Sequence, residues 1–166
     1  PEKVPASSGG CINAIVWWGI REKSGEPWAD GAPHPVGQGA SVFGDGATCL
    51  HHAESATRFA PAEVWENRNP WLVNRVELIQ DSGGAGQYRG GLGVNLEFTM
   101  LEDSYATTVC ERSKFPPWGL NGGKEGLTNN CFLLDENEKS LEIPKATRVP
   151  ITKGKRILLQ CGGGGG

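Results

Sequence analysis

The sequence predicts a mainly β protein, an antiparallel β-rich unit with little helix and long Gly/Pro loops. The chain contains 25 Gly and 11 Pro among its 166 residues, which exceeds the average shares of about 7% and 5%. Long helices are excluded, because an interior Gly costs a helix about 1 kcal/mol and an interior Pro about 3. Short apolar runs that alternate with polar residues and end at turn signals favour strands. These strands could form a sheet, a sandwich or a barrel-like unit.

Residues 1–60 form the loop-rich part of this prediction. One apolar segment, residues 11–20 (CINAIVWWGI), is typical of a buried strand, and Gly19 limits it. Residues 25–46 contain three X-Pro pairs and two Asp-Gly pairs, which are turn signals. We therefore expect an ordered loop over residues 25–46, laid over a scaffold.

Residues 61–166 form the β-rich part, which opens with a short helix. Pro61 suits the first position of a helix, and the carboxylates that follow it suit the positive end of the helix dipole. Asn69 followed by Pro70 should end this helix, because the residue before a proline is biased away from helical geometry.

The strands of the β-rich part follow from alternation of apolar and polar residues. Residues 73–79 and 94–100 alternate most clearly, and these two strands could pair antiparallel. Turn signals such as Lys153-Gly154 separate the other candidates. Further short strands are predicted at residues 106–110, 130–134, 148–151 and 156–161.

Charge and cysteine usage exclude several classes of protein. The net charge of −3 provides no basic footprint for nucleic acid, and no apolar run reaches the roughly 18 residues that span a membrane. The N-terminus lacks a signal-peptide pattern, so we expect a cytoplasmic location. The five cysteines are odd in number and have no CxxC pair, which favours reduced, mostly buried thiols over a zinc site or a disulfide framework.

The densest candidate site is the glycine-rich run DSGGAGQYRGGLG at residues 81–93. Asp81 and Arg89 supply one charge of each sign and are candidate catalytic residues. The run could cradle an anion with free N–H groups, although its spacing is not that of a nucleotide-binding loop. The alternative is a tightly packed loop in which Arg89 bonds carbonyls or Asp81. The glycines predicted to line a substrate rim or a subunit contact are Gly83, Gly84, Gly86, Gly90 and Gly91.

A second glycine-rich cluster covers residues 112–126 (RSKFPPWGLNGGKEG). Arg112 is the third candidate catalytic residue, because a guanidinium before a rigid loop could bind a carboxylate or phosphate. The alternative is an ion pair with Glu111, Asp103 or Asp81. The run is no phosphate loop, since position 118 is Trp where that motif requires Gly. The rim or subunit contact is predicted to include Asp45, Trp118, Gly122 and Gly123 as well.

His51 and His52 are the weak candidates for metal ligands in this segment. Adjacent side chains diverge on either a strand or a helix, so the two do not form a bidentate site, although Asp45 or Glu54 could join one of them. Polar loop histidines are the simpler interpretation, and the same holds for His34. The sequence contains neither a GxSxG elbow nor an HExxH motif.

Five sequence blocks occur in order along the chain. They are GQGA-x4-DG at residues 37–46, P-x-E-x-x-E-x-x-x-P at 61–70, the run at 81–93, E-R-x-x-x-P-P-x-G-x-x-G-G at 111–123, and a glycine run at 162–166. Together they resemble the C-terminal part of the hydantoinase B family, which includes the B-type subunit of N-methylhydantoinase, the matching half of 5-oxoprolinase, and subunits of acetone and acetophenone carboxylases. The chain departs from the family at Phe59-Ala60, where Asn-Thr is common. Its glycine run stops where the family tends to continue, which predicts a piece of a longer subunit.

The resemblance implies a division of labour. A hydantoinase A-type partner subunit would bind ATP and activate the carbonyl oxygen of a small-molecule substrate. A divalent metal (Mn, Zn or Mg), expected in the upstream remainder of the same subunit, would help direct the nucleophile. The predicted function is therefore part of an ATP-dependent amidohydrolase that opens a cyclic amide such as a hydantoin, oxoproline or lactam. The alternatives are a segment of an ATP-dependent ketone carboxylase and a non-catalytic assembly module.

Overall fold

The structure of the chain is a computed structural model that describes residues 4–10, 13–51, 60–135, 137 and 140–166. This part of the chain contains nine strands and one helix, which confirms the mainly β prediction. In chain order they are β1 (Asn13–Ile20), β2 (Pro27–Pro33), α1 (Ala62–Arg68), β3 (Trp71–Leu78), β4 (Val94–Met100), β5 (Ser104–Cys110), β6 (Asn130–Leu134), β7 (Ser140–Glu142), β8 (Lys145–Ile151) and β9 (Arg156–Cys161).

The strands form two antiparallel sheets that share one core. The four-stranded sheet has the order β2-β1-β5-β8, and the five-stranded sheet has the order β3-β4-β9-β6-β7. Trp17 of the first sheet meets Phe98 of the second with ring centroids 5.5 Å apart. Such face-to-face packing buries one side of each sheet, so of the three architectures predicted, a sandwich is observed.

Alternation decides which side chains enter the core. On β4, Val94, Leu96, Phe98 and Met100 are buried, while the residues between them point away from the core. The predicted pairing of this strand with the preceding one is confirmed, since β3 and β4 are antiparallel with Val76 opposite Leu96. The strands predicted at 106–110, 130–134, 148–151 and 156–161 are all present.

Two strands were not predicted. β2 lies inside the stretch expected to be a loop, and β7 contains three residues. The turn signals misled the prediction for β2, because Pro27 and Pro33 are tolerated at the ends of an edge strand and Gly31 pairs with Val16 of β1. Residues 1–60 therefore contribute two of the four strands of one sheet in addition to a long loop.

The short helix follows its local signals. α1 ends at Arg68, and the Asn69 backbone N–H, already in extended geometry, donates to the Trp65 carbonyl. Trp65 is the buried residue of the helix and packs edge-on against Phe98, with ring centroids 5.6 Å apart. The Glu66 carboxylate accepts a hydrogen bond from the Val73 N–H at 2.8 Å. These contacts fasten the helix to the start of β3.

The terminal glycine run, residues 162–166, continues from β9 into the protein, and its first four residues are buried. A Cβ atom on Gly163 would overlap the Ser82 carbonyl, and one on Gly166 the Ala85 carbonyl. Residues three apart in the run thus face the same neighbouring segment. The hydrogen bonds of the run go to neighbouring segments of the chain.

Candidate functional site

The glycine-rich segments predicted as candidate sites meet at one end of the sandwich. We call this assembly the glycine core and define it as residues 37–46, 82–93, 117–126 and 162–166. The terminal run lies in its centre, where the Gly164 N–H donates to the Gly91 carbonyl and the Gly164 carbonyl accepts from the Gly84 N–H. The order of these segments along the chain does not reveal that they meet in space.

Other residues of the terminal run bond to the remaining segments. The Gly162 carbonyl accepts from the Gly37 N–H at 2.9 Å, and the Gly166 N–H donates to the Lys124 carbonyl at 2.9 Å. The Gly165 N–H donates to the Ser7 carbonyl at 2.8 Å, which ties the N-terminal segment to the same centre. Backbone groups, rather than side chains, hold the glycine core together.

The candidate glycines divide into two groups. Gly84, Gly90 and Gly91 are buried and Gly83 is half-buried, and a Cβ on any of the four would overlap a backbone carbonyl. These four are therefore packing positions inside the glycine core. The remaining three line a cavity of about 500 Å³ at its surface, together with Ser41, Tyr88 and Gly166. They are Gly86, Gly122 and Gly123, of which Gly123 is also a packing position because its Cβ would overlap the Gly166 carbonyl.

Asp45 and Arg89 meet through the backbone of Arg89. The Asp45 carboxylate accepts a hydrogen bond from the Arg89 N–H at 2.8 Å, and the Gly46 N–H donates to the Arg89 carbonyl at 2.8 Å. The pair joins two segments of the glycine core. The side chain of Arg89 is exposed.

Arg112 packs on an aromatic ring instead of a carboxylate. Its guanidinium carbon lies 4.5 Å from the centroid of the Trp118 ring, in cation–π geometry. The ion pairs between described residues do not include Arg112, so the alternative of an ion pair with Glu111, Asp103 or Asp81 is not observed. The Arg112 backbone has a φ of 50°, a left-handed geometry that is uncommon for a non-glycine residue.

Asp81 is exposed at the turn that follows β3, and its φ of 56° is also left-handed. No hydrogen bond or ion pair within the described ranges joins Asp81, Arg89 and Arg112 to one another. The three candidate catalytic residues thus belong to the glycine-core end of the molecule without forming a single cluster.

His34 and His51 lie in loops, as the sequence predicts, but His34 is buried. His34 is buried between Trp17 and Trp65, with ring centroids 6.4 and 6.5 Å away, and neither of its ring nitrogens has a hydrogen-bond partner among the described residues. Burial, reinforced by the charge of His51, lowers the pKa of His34 from 6.5 to about 3. His34 therefore lies in the loop after β2, as predicted, but it is buried and neutral because Trp side chains of neighbouring elements enclose it.

Metal ligation has no support in the described part of the chain. Those residues contain no group of three or more His, Cys, Asp or Glu side chains that could hold a metal ion. His51 is half-exposed, and burial lowers its pKa. His52 and Glu54 lie outside the described residues.

Three thiols are fully buried, as the sequence suggested. Cys110, Cys131 and Cys161 are free and inaccessible to solvent. Burial raises the pKa of the Cys110 thiol to about 12 and raises those of the other two as well. Such thiols are not nucleophiles near neutral pH. Cys11 lies outside the described residues.

Sequence reasoning missed Asn129, which connects three segments at the base of the glycine core. Its side-chain amide donates to the Gly9 carbonyl at 2.5 Å and to the Glu111 carbonyl at 2.7 Å, and its side-chain oxygen accepts from the Gly162 N–H at 2.5 Å. Nothing local in the sequence marks this residue, because all of its partners are distant along the chain.

A second cavity, also unpredicted, lies at one end of the four-stranded sheet. This groove has a volume of about 840 Å³, and its walls include Trp18, Ile20, Trp28, Tyr105 and Pro150. The lining is mainly apolar, whereas the cavity of the glycine core has a mixed polar and apolar lining.

Comparison with known proteins identifies the family. The Hydantoinase B/oxoprolinase family matches residues 1–166. An uncharacterized protein of Methanocaldococcus jannaschii is 32% identical over 174 residues, covering 100% of this chain and 28% of that protein. The 5-oxoprolinase 1 of Arabidopsis thaliana is 28% identical, covering 97% of this chain and 12% of its own length. The B-type subunit of a putative D-/L-hydantoinase from Pseudomonas sp. is 31% identical and covers 74% of this chain and 21% of its own length.

Two solved structures share the fold. The ATP-dependent caprolactamase of Pseudomonas jessenii has a TM-score of 0.72 at 23% identity, covering 99% of this chain and 30% of that one. A nucleotide-free acetone carboxylase structure has a TM-score of 0.78 at 18% identity, covering 99% and 26%. The chain spans less than a third of each of these relatives. α1, the helix of the described residues, has seven residues, fewer than a membrane span requires. The chain belongs to the hydantoinase B/oxoprolinase family.

Proposed function

We propose that this chain is part of an ATP-dependent amidohydrolase that opens a cyclic amide, such as a hydantoin, oxoproline or lactam. The observation that carries the proposal is the glycine core, in which the segments that resemble the family blocks converge beside a cavity of about 500 Å³. The names of the relatives support the substrate class, because 5-oxoprolinase, hydantoinase and caprolactamase all refer to cyclic amides.

The chemistry would be shared with other polypeptides. An amide carbonyl is a poor electrophile, and phosphorylation of its oxygen by an A-type ATP-binding subunit would make it a good one. A divalent cation (Mn, Zn or Mg) would activate the attacking water when bound. Following the family resemblance, the metal would be held by the upstream remainder of the same subunit and ATP by the A-type partner.

The contribution of this chain would be a rigid wall. Closely packed backbone cannot shift to fill the cavity beside it, so Gly86, Gly122 and Gly123 would keep one surface of the site open. Asp81, Arg89 and Arg112 would be rim groups that contact the substrate or the partner subunit. A guanidinium held over Trp118 is partly ordered before binding, which reduces the entropy lost when it meets an anion.

A ketone carboxylase is the second candidate function. The likeness to acetone carboxylase has the higher TM-score of the two solved structures, 0.78 against 0.72. The same wall would serve a carbon nucleophile as well as water, so the fold does not discriminate between the two reactions.

A non-catalytic assembly module is the third candidate. It is favoured by the burial of Gly84, Gly90 and Gly91 and by the cation–π packing of Arg112, since each of these serves packing within the chain. In this case the chemistry would lie entirely on other parts of the complex.

The reaction is tested with the purified complex, ATP and a divalent metal. One arm supplies hydantoin, 5-oxoproline or caprolactam, and the other supplies acetone with bicarbonate. Ring opening in the first arm supports the amidohydrolase proposal, whereas formation of a carboxylated product in the second arm alone would contradict it.

The role of this chain is tested with Asp81→Asn, Arg89→Gln and Arg112→Gln in the same complex. Reduced turnover with intact assembly supports a substrate rim. Loss of assembly, measured by native mass, supports the assembly module instead.

A further inference from the structure

The outer face of the four-stranded sheet is apolar, although it points away from the core. Strand alternation turns Val16, Trp18 and Ile20 of β1 outward beside Ala29 of β2 and Tyr105 of β5, and the register places Trp18 between the last two. Val109 continues the face, which also carries polar Thr107 and, on β8, charged Arg148 beside Tyr105. A sheet with one buried face normally presents polar side chains on the other, so this sheet has two faces suited to burial.

The five-stranded sheet shows the usual arrangement. Its outer face carries Glu97, whose carboxylate binds the Arg75 guanidinium at 2.7 Å and the Arg156 guanidinium at 3.0 Å. Asn74 donates to the same carboxylate at 3.3 Å and to Thr99 at 2.7 Å. This outer face is the more polar of the two, although Leu72, Leu158 and Phe132 also lie on it.

The apolar face has the layout of an interface. Trp18 and Tyr105 stack at its centre with ring centroids 6.0 Å apart, beside the groove of about 840 Å³. The charged residues lie on its border strand β8, where the Arg148 guanidinium is 5.3 Å from the Tyr105 ring and Lys145 pairs with Val109. An uncharged aromatic centre with a charged rim is typical of protein interfaces.

A partner would have to bind this face rather than extend the sheet. Pro27 and Pro33 bound the edge strand β2, and Pro150 interrupts the other edge strand, β8. Proline has no N–H to offer an added strand, and natural sheets use it to block edge pairing. Strand addition is therefore disfavoured on both sides of the four-stranded sheet.

We propose that further polypeptide of the same subunit covers this face. This proposal rests on the proposed function, because it requires this unit to work within a longer chain. The relatives support this occupant, because the region they share with this chain is 28% of the archaeal protein and 30% of the caprolactamase chain. Most of each polypeptide is thus available for contacts with this unit.

Size argues against a second copy as the occupant. Four strands about 4.8 Å apart and seven residues long form a face of about 450 Å². A stable interface between separate proteins buries about 800 Å² on each partner, which this face alone does not reach. A covalently linked segment needs less area, because its effective concentration is in the millimolar range.

The first test is hydroxyl-radical footprinting read by mass spectrometry. Two proteins are compared: this chain alone, and a chimera in which this chain replaces the matching segment of the Methanocaldococcus jannaschii relative. We expect oxidation of Trp18 and Tyr105 to fall at least fivefold in the chimera, while Leu72, on the five-stranded sheet, is oxidised equally in both. Equal oxidation of Trp18 and Tyr105 in the two proteins would overturn the proposal.

The second test does not require the chimera to fold. The remaining polypeptide of the same relative is added to this chain, and binding is followed by tryptophan fluorescence. We expect a complex that Val16→Lys weakens at least tenfold and Leu72→Lys leaves unchanged, a matched pair because these side chains are 45% and 47% exposed. Absence of binding by the folded chain counts against the proposal.

A concentration series of this chain alone completes the test. Protection of Trp18 and Tyr105 that increases with concentration would assign the face to a second copy and reject the proposal. None of these measurements depends on turnover, so failure of the amidohydrolase proposal in the substrate assay and failure of this one are separate results.

Discussion

His34 shows how a single residue can limit the stability of this fold. The imidazole is buried among tryptophans with both ring nitrogens unpaired within the described structure, and its pKa is lowered from 6.5 to about 3. The unfolded chain takes up this proton near pH 6.5, and the folded chain does not do so until about pH 3. His34 therefore costs the fold no stability above pH 6.5, and its effect lowers the free energy of unfolding as the pH falls from 6.5 towards 3.

We predict that His34→Leu reduces this acid sensitivity. The wild-type chain should lose up to about 1.4 kcal/mol of unfolding free energy per pH unit below 6.5 from this residue, and the variant should lose correspondingly less. Urea unfolding at pH 7.5 and pH 5, followed by tryptophan fluorescence, measures the difference. An identical loss in the two proteins would contradict the assignment.

Asn129 is a second residue whose effect exceeds what its sequence context suggests. We predict that Asn129→Ala destabilises the chain by about 2–4 kcal/mol, because it leaves the Gly9 and Glu111 carbonyls and the Gly162 N–H without this partner. Asn67→Ala is the matched control, since Asn67 is exposed on α1 and Ala favours a helix. Thermal unfolding of both variants tests the prediction, and equal melting temperatures would refute it.

At the scale of elements, one buried carboxylate joins three strands. Glu97 of β4 binds Arg75 of β3 and Arg156 of β9. Burial by itself would raise the pKa of Glu97, but hydrogen bonds from Asn74 and Arg156 and the charge of Arg75 outweigh it, so the pKa is lowered. The stability that this network contributes is present above the ordinary pKa of 4.5 and is lost as the pH falls below it.

We predict that Glu97→Gln destabilises the chain at pH 7 by about 1–3 kcal/mol, because two guanidinium groups lose their shared counter-charge. The difference from wild type should shrink between pH 7 and pH 3, because below 4.5 the unfolded chain takes up a proton at this carboxylate more readily than the folded chain does. Unfolding in urea at the two pH values measures this change. A difference independent of pH would show that the charge is not the cause.

At the scale of the whole molecule, the terminal glycine run organises one end of the sandwich. It exchanges hydrogen bonds with the N-terminal segment and with all three glycine-rich loops, so these distant parts of the chain become ordered together. The outer face of the four-stranded sheet is the more apolar one, whereas that of the five-stranded sheet carries the ion pairs of Glu97.

We predict that Gly164→Ala prevents formation of the glycine core. Its Cβ would overlap the Gln38 carbonyl, and backbone on every side cannot yield, so the cost should exceed about 3 kcal/mol. Gly25→Ala is the control, because Gly25 has open space around it and a φ of 70°, which costs Ala only about 1–2 kcal/mol. Near-UV circular dichroism and melting temperature distinguish the two, and a Gly164→Ala protein as stable as the control would reject this account.

Local patterns were sufficient to predict most elements. Alternation located β4, β5, β6 and β9, and Asn69-Pro70 located the end of α1. The same signals failed at β2, where Pro27 and Pro33 indicate turns but stand at the ends of an edge strand. For the candidate site, the sequence indicated the glycine-rich segments but not that Gly84, Gly90 and Gly91 are packed while Gly86, Gly122 and Gly123 line a cavity.

The sequence by itself determined the strand periodicity, the scarcity of helix and the family. Only the tertiary structure decided the burial of residues 162–166, the isolation of His34 and the role of Asn129. The physical reason is that periodicity is a property of neighbouring residues, whereas close backbone approach and burial depend on segments that are distant along the chain. A glycine run is flexible when it has no neighbours, and it is a packed centre when other segments of the chain surround it.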